Sequence, residues 1–176
     1  MSPLVPETIE TERLTLRQFE LGDFAAVGRM VGDVEVMRYV GGQITKSWDV
    51  WGYMARTLGH WTLRGYGPYA VVEKSSGALV GRVGLLNPET WPGIEIAWTL
   101  ARPFWGKGYA TEAAMAVGRV GSRALKAEGF ISLVHPDNTS SQRVAERLGA
   151  RRDGSTDYFG ADTPAFVYRH DAARFR

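Results

Sequence analysis

The sequence predicts an α/β fold with a mixed sheet, on three observations. "PYAVVEK" and "ALVGRVGLL" flank the compact turn "SSG" and read as a β-hairpin. Two helix-like stretches precede that hairpin, and two more are interposed among the later strands, an order that argues against a fully parallel sheet. The glycine-containing stretch "RPFWGKGYATEA" joins an apolar strand to a long helix, as phosphate-binding loops of α/β proteins do.

The elements follow in order. "RLTLRQF" (13–19) alternates apolar and polar residues and predicts a strand. "GDFAAVGRMVGD" predicts a helix with Phe24, Val27 and Val31 on one side. "SWDVWGYMARTLGHWTLRG" predicts a second, with Ser47 as its cap, Gly65 as its stop, and Trp51, Met54, Leu58 and Trp61 as its buried stripe. After the hairpin and the loop "NPETWPG", "IEIAWTL" (94–100) predicts another strand. The helix beyond the glycine loop runs to about Lys126. Ala113, Val117, Val120 and Ala124 line one face of it, and Glu112, Arg119, Arg123 and Lys126 the other. Gly118 and Gly121 inside it cost roughly 1 kcal/mol each against alanine, which close packing on the sheet would explain. "FISLVH" predicts a strand and "SSQRVAERLG" a short helix, with Thr139 and Gln142 at capping-box spacing and Gly149 as its stop. "TDYFG" and "AFVYRH" close the chain as a hairpin.

Composition sets the outer bounds. The 176 residues suit one domain with a sizeable core, over 1–176, and no repeat or linker divides them. A net charge of +2, with no run of five like charges, gives no footprint for nucleic acid. There is no cysteine, so disulfides, thiolate nucleophiles and cysteine-based zinc sites are excluded. His60, His135 and His170 lie too far apart in sequence for metal-ligand spacing, and no metal is expected. No signal-peptide pattern and no run of 18 apolar residues appears, so the expectation is a cytoplasmic protein not bound to membrane.

Three glycine motifs compete for "RPFWGKGYATEA". A P-loop fails twice: Gly108 follows Gly106-Lys107 where serine or threonine is needed, and Ala101 stands where the first glycine should. The dinucleotide fingerprint fits Gly106 and Gly108 but has Thr111 at its third glycine. It also belongs near the start of a βαβ unit, whereas this loop follows four strands. The third pattern is Gln/Arg-x-x-Gly-x-Gly/Ala, with Gly108 and Ala110 at the small positions. Small residues there let successive backbone N–H groups face a pyrophosphate at a helix N-terminus. About thirty residues on, "LVHPDNTSSQRVAERLGA" breaks a strand at Pro136 and presents Asn138 and Ser141 at the next helix.

"TERLTLRQF", "ALVGRVGL", "EIAWTLARPFWGKGYATEA" and "NTSSQRVAERLGA", in this order over nearly the whole chain, resemble the GNAT superfamily of acetyl-CoA-dependent N-acetyltransferases. The likeness is closest to the branch of ribosomal-protein N-terminal (alanine) acetyltransferases. One departure is Trp105 at the motif's first position, where the broad superfamily has Gln or Arg; it touches one side-chain contact, not the backbone cradle.

The resemblance implies a GNAT fold: a mostly antiparallel sheet of about 6–7 strands, splayed between strands 4 and 5, with about four flanking helices. It implies acetyl transfer to a primary amine, either a small molecule or a peptide N-terminus, with acetyl-CoA as co-substrate, by a monomer or homodimer. Carried onto this chain, Trp98, Thr99 and Leu100 would hold pantetheine, and Gly106, Lys107, Gly108, Tyr109, Ala110 and Thr111 the pyrophosphate. Asn138 would bond the cofactor from the other side. Arg102, Lys107 and Arg143 reach cofactor phosphates or simply face solvent. Glu95, the one acid of an apolar strand, would be the general base or would orient substrate through water. Ser141 would protonate the leaving group or serve as a capping hydroxyl. Tyr158 becomes a donor only if its hairpin folds toward the thioester, while Tyr39 and Trp91 sit where the family walls its acceptor site. The alternatives are a module that binds acyl-CoA without turnover, and a nucleotide-binding domain.

Overall fold

The computed structural model describes residues 2–157 and 164–176. In chain order they form β1 (Thr8–Glu10), β2 (Leu14–Arg17), α1 (Phe24–Val31), α2 (Val34–Met37), α3 (Ser47–Arg64), β3 (Pro68–Glu73), β4 (Leu79–Leu86) and β5 (Glu95–Leu100). Then come α4 (Tyr109–Ala124), β6 (Gly129–Val134), α5 (Thr139–Arg147), β7 (Arg151–Thr156) and β8 (Ala165–Asp171). The eight strands form one open sheet in the order β1-β2-β3-β4-β5-β6-β8-β7. Neighbours are antiparallel except β5 and β6. That exception follows from α4, whose crossover returns the chain in the same direction.

Two large cores hold the layers, and a third, smaller one of Val134, Ala145, Ala150 and Tyr168 seats α5. Leu14, Leu16, Val83, Leu85, Ile96, Ala113, Val117, Phe130 and Phe175 fill the space between the sheet and α4. Val27, Met30, Val31, Val50, Tyr53 and Met54 pack α1–α3 over the opposite face. The helical glycines answer to close approach. A Cβ on Gly118 would stand 2.5 Å from the Phe175 ring, and one on Gly121 2.9 Å from Leu85.

Several sequence expectations shift. The short β1, pairing Thr8 with Arg17, and the four-residue α2 raise the counts among the described residues to eight strands and five α-helices. The buried face of α3 is Val50, Tyr53, Met54, Thr57 and Trp61, so its apolar stripe is rotated from the one expected. Trp51 is half exposed and Trp48 is 79% exposed, neither of them core. Ser47 is the first helical residue rather than the cap, and Asn138, not a Thr139–Gln142 box, caps α5; the Gln142 amide donates to Pro136 O at 2.6 Å. The strand pairing with β8 is residues 151–156, earlier than "TDYFG"; Tyr158 and its neighbours through 163 lie outside the described residues. Among the described residues, no helix is long and apolar enough to cross a membrane.

Candidate active site

The site is built where β5 and β6 part. β4 and β5 pair along six residues and β6 and β8 along six, but β5 meets β6 only at Glu95 and Ile131. With β1 counted, this is the splay expected between strands 4 and 5. Of the carbonyls on the side facing β6, Ile94 O, just before β5, accepts from Ile131 N–H (2.9 Å) and Ile96 O from the Ser132 hydroxyl (2.7 Å), both on β6, whereas Leu100 O accepts from the Trp105 indole in the glycine loop (2.7 Å). Trp98 lies between them at the same alternation, beyond the last β5–β6 pair, so its main-chain groups face the gap.

A cleft of about 490 Å³ opens there. Trp98, Thr99 and Leu100 form its β5 wall. Gly106, Gly108, Tyr109, Ala110 and Thr111 form its floor. Gly106 (φ +75°) and Gly108 (φ +82°) occupy the left-handed region that glycine enters without strain, which turns the chain sharply into α4. The first intrahelical bond of α4 is Glu112 N–H to Gly108 O, so the N–H groups of Tyr109, Ala110 and Thr111 have no acceptor inside the helix. Unpaired amides with a helix dipole behind them suit an anion.

The loop is fastened from outside. Arg13 donates to Lys107 O at 2.9 Å and forms an ion pair with Glu112 at 2.6 Å, while the Thr11 hydroxyl donates to the same carboxylate at 2.6 Å. This clamp draws the Lys107 carbonyl away from the cleft. Lys107 itself is not part of the cleft wall; its ammonium lies 5.2 Å over the Phe104 ring. Tyr109 is buried, and its hydroxyl donates to Glu73, so the side chain is helix packing. Arg102 is engaged by Asp33 at 2.9 Å, whereas Arg143 lines the cleft.

The start of α5 makes the opposite wall. Asn138 Oδ1 accepts from Ser141 N–H at 3.1 Å as the helix cap, which leaves its amide N–H groups to donate elsewhere. Ser141 Oγ accepts from the Trp98 indole at 3.3 Å, so its own proton is free to be given to a third group. Tyr39 reaches the cleft from the α2 side and packs on His135, ring centroids 4.7 Å apart.

Glu95 stands at the root of the splay, 6% exposed. Burial pushes its carboxyl up to about 7, against the pull of the Leu133 N–H (3.3 Å), the Trp91 indole (2.9 Å) and the charge of Arg82. A carboxyl poised there exchanges a proton at neutral pH, the requirement for a general base. The structure thus gathers Trp98, Thr99, Leu100, Gly106, Gly108, Asn138 and Ser141 around one cleft, while Glu95 lies buried at the other end of β5 and is not part of the cleft lining. The Trp91–Glu95 bond and the Arg13 clamp escape sequence reading, since neither has a local signature. Trp105, the motif's odd residue, has a structural use in tying the loop back to Leu100.

The family model for the acetyltransferase (GNAT) domain matches residues 13–151. The uncharacterized N-acetyltransferase p20 of Bacillus licheniformis is 31% identical over 152 residues, covering 84% of each chain. The crystal structure of an acetyltransferase from Agrobacterium tumefaciens is 31% identical, with a TM-score of 0.83 over 94% of each chain. The chain therefore belongs to the GNAT family and is an N-acetyltransferase. The spermidine N-acetyltransferase from Vibrio cholerae, solved with CoA and spermine, shares the fold at 18% identity and a TM-score of 0.76, over 94% of this chain and 99% of that one. The ribosomal-protein-alanine acetyltransferase from Vibrio fischeri shares it at 17% identity and a TM-score of 0.71, over 96% of this chain and 98% of that one, a likeness of fold alone.

Proposed function

We propose that this chain moves an acetyl group from acetyl-CoA directly to a primary amine, with Glu95 as general base and Ser141 as general acid. The observation that carries the reading is the parting of β5 and β6 beyond Glu95, opposite the unpaired amides of α4. The residues present fit the co-substrate. Trp98 main chain offers strand-like pairing to the pantetheine amides, N–H groups from Gly106 to Thr111 suit the pyrophosphate, and the Asn138 amide donates from the far side. Bound there, acetyl-CoA supplies an acyl group activated as a thioester.

The chain's own residues supply the proton management. An alkyl amine is protonated at neutral pH, with a pKa near ~10.4, and must lose that proton before it can attack. Glu95, raised to about 7 by burial, takes it through direct contact or one water. Ser141, whose Oγ already accepts from Trp98, gives its proton at the sulfur end. With no cysteine in the sequence, no thiolate is available to carry the acetyl group in transit, which favours direct transfer. The acceptor class is a small amine or a peptide N-terminus. The test is thiol release from acetyl-CoA against a panel of small amines and N-terminal peptides. Release stimulated by at least one amine is expected; absence of coenzyme A binding would end the reading.

A further inference from the structure

On the face of the sheet that α1–α3 cover lies a second cavity, of about 860 Å³. It meets the reacting end of the site: Leu86, which lines it, is the ladder partner of Glu95, and Val40 lines both this cavity and the cofactor cleft. Its charge is cationic. Arg56, Arg64 and Arg82 line it against a single carboxylate, Glu89, which Arg64 holds at 3.0 Å. His60 adds nothing to that charge. Its Nε2 accepts from Asn87 N–H at 3.0 Å, so the proton sits on Nδ1, 2.7 Å from Tyr66 O, and the ring is neutral. Burial holds its pKa below the usual histidine range, in agreement.

Two polar atoms of this cavity's walls are buried without a partner among the described residues: the Tyr53 hydroxyl and Arg82 Nε. Tyr53 is 8% exposed, and the Arg82 guanidinium lies 5.2 Å over its ring, so the two side chains stand together. A guanidinium can only donate, and a buried donor without an acceptor is costly. A carboxylate is the acceptor that suits a guanidinium, in the planar geometry arginine favours. Much of the remaining wall is apolar, with Met37, Ile44, Leu63 and Pro88. A polyamine would bring further positive charge to three arginines.

We propose that the acceptor is an amine that itself carries a carboxylate on an apolar body, an amino acid in chemical class, with the carboxylate on Arg82 and Tyr53 and the amine toward Glu95. The direction of the amine rests on the acetyl-transfer reading above; the carboxylate site does not.

The test titrates coenzyme A-saturated protein with L-leucine and L-methionine, their carboxamides, the aminophosphonate analogue of leucine, and spermidine. Binding is read by calorimetry, and thiol release from acetyl-CoA is read in parallel. The amino acids are expected to bind about tenfold or more tighter than the carboxamides. Tyr53→Phe, which keeps the ring, and Arg82→Met are each expected to erase that margin, and Arg82→Lys to restore part of it. Coenzyme A affinity in Tyr53→Phe should hold, which separates loss of the site from loss of the fold. Carboxamides, aminophosphonate or spermidine binding as well as the amino acids would overturn the proposal, as would an unaltered margin in both variants. Arg82-dependent binding of amino acids without thiol release would refute acetyl transfer and leave the carboxylate site standing. Thiol release with carboxamides or spermidine alone would do the reverse.

Discussion

The Trp91 indole donates to Glu95 Oε2 at 2.9 Å, from a loop that the strand's own residues do not reach. One carboxylate oxygen is thereby fixed, while Leu133 N–H holds the other at 3.3 Å across the splay. The Glu95 carboxylate is thus held between the loop that precedes β5 and the strand β6 that parts from it. Its high proton affinity comes from burial, which these two donors only soften.

That burial has a cost in stability, with a definite sign. Folding raises the Glu95 carboxyl from 4.5 to about 7, so the native state binds more protons in that window and stability falls as pH rises through it. Glu95→Gln should therefore stabilise the protein at pH 8 by up to about 3 kcal/mol, read by urea denaturation. No gain at pH 8 would mean that folding does not raise the proton affinity of this carboxyl.

His170 acts in the opposite sense. Buried beside Ser132, with its Nε2 2.9 Å from that hydroxyl, it is held down to about 4 from 6.5. The unfolded chain takes up that proton first, so stability is lost as pH falls from about 6.5 to 4. Between about 4.5 and 6.5 the two groups offset each other. Glu95→Gln should steepen acid denaturation there, because it leaves the histidine unopposed.

Ser141→Ala should lower kcat about 100-fold, the usual scale for general acid catalysis, with KM for acetyl-CoA nearly unchanged. Asn138→Ala should behave differently. It removes the α5 cap, costing about 1 kcal/mol of stability, and weakens coenzyme A binding. Steady-state kinetics of the two variants separates proton transfer from cofactor contact.

Arg13→Met removes the outer clamp on the glycine loop while Gly106 and Gly108 keep their turn. The Arg13 side chain is 43% exposed, so the loss should be modest: a several-fold rise in the coenzyme A Kd, with kcat retained. Fluorescence titration of the Trp105 loop would read it.

Gly118→Ala should destabilise the fold by about 1–3 kcal/mol despite alanine's better helix propensity, because the new methyl meets the fully buried Phe175 ring. Gly121→Ala, facing the end of the Leu85 side chain at 2.9 Å, should cost less.

What the sequence made legible was local. Gly106 and Gly108 mark positive-φ turns wherever they occur, Pro136 stops a strand, and Asn138 caps the helix that follows, so both walls of the cleft could be placed. Hidden were the features set by distant partners. Glu112 meets Arg13 across 99 residues, and on sequence it is only one polar residue on a helix face. The α3 stripe went astray because Trp51 follows helical spacing with Met54, Leu58 and Trp61 but lies on an exposed side of α3. Hydrophobicity alone could not phase that helix.

The most direct test of the account is the pH dependence of kcat/KM for amine-stimulated thiol release by the wild-type chain and Glu95→Gln. The account predicts that the wild-type rate rises with ionisation of a group near 7, and that Glu95→Gln loses both that inflection and about 100-fold or more of the rate at pH 8. An unchanged profile in Glu95→Gln would contradict it and remove Glu95 as the base.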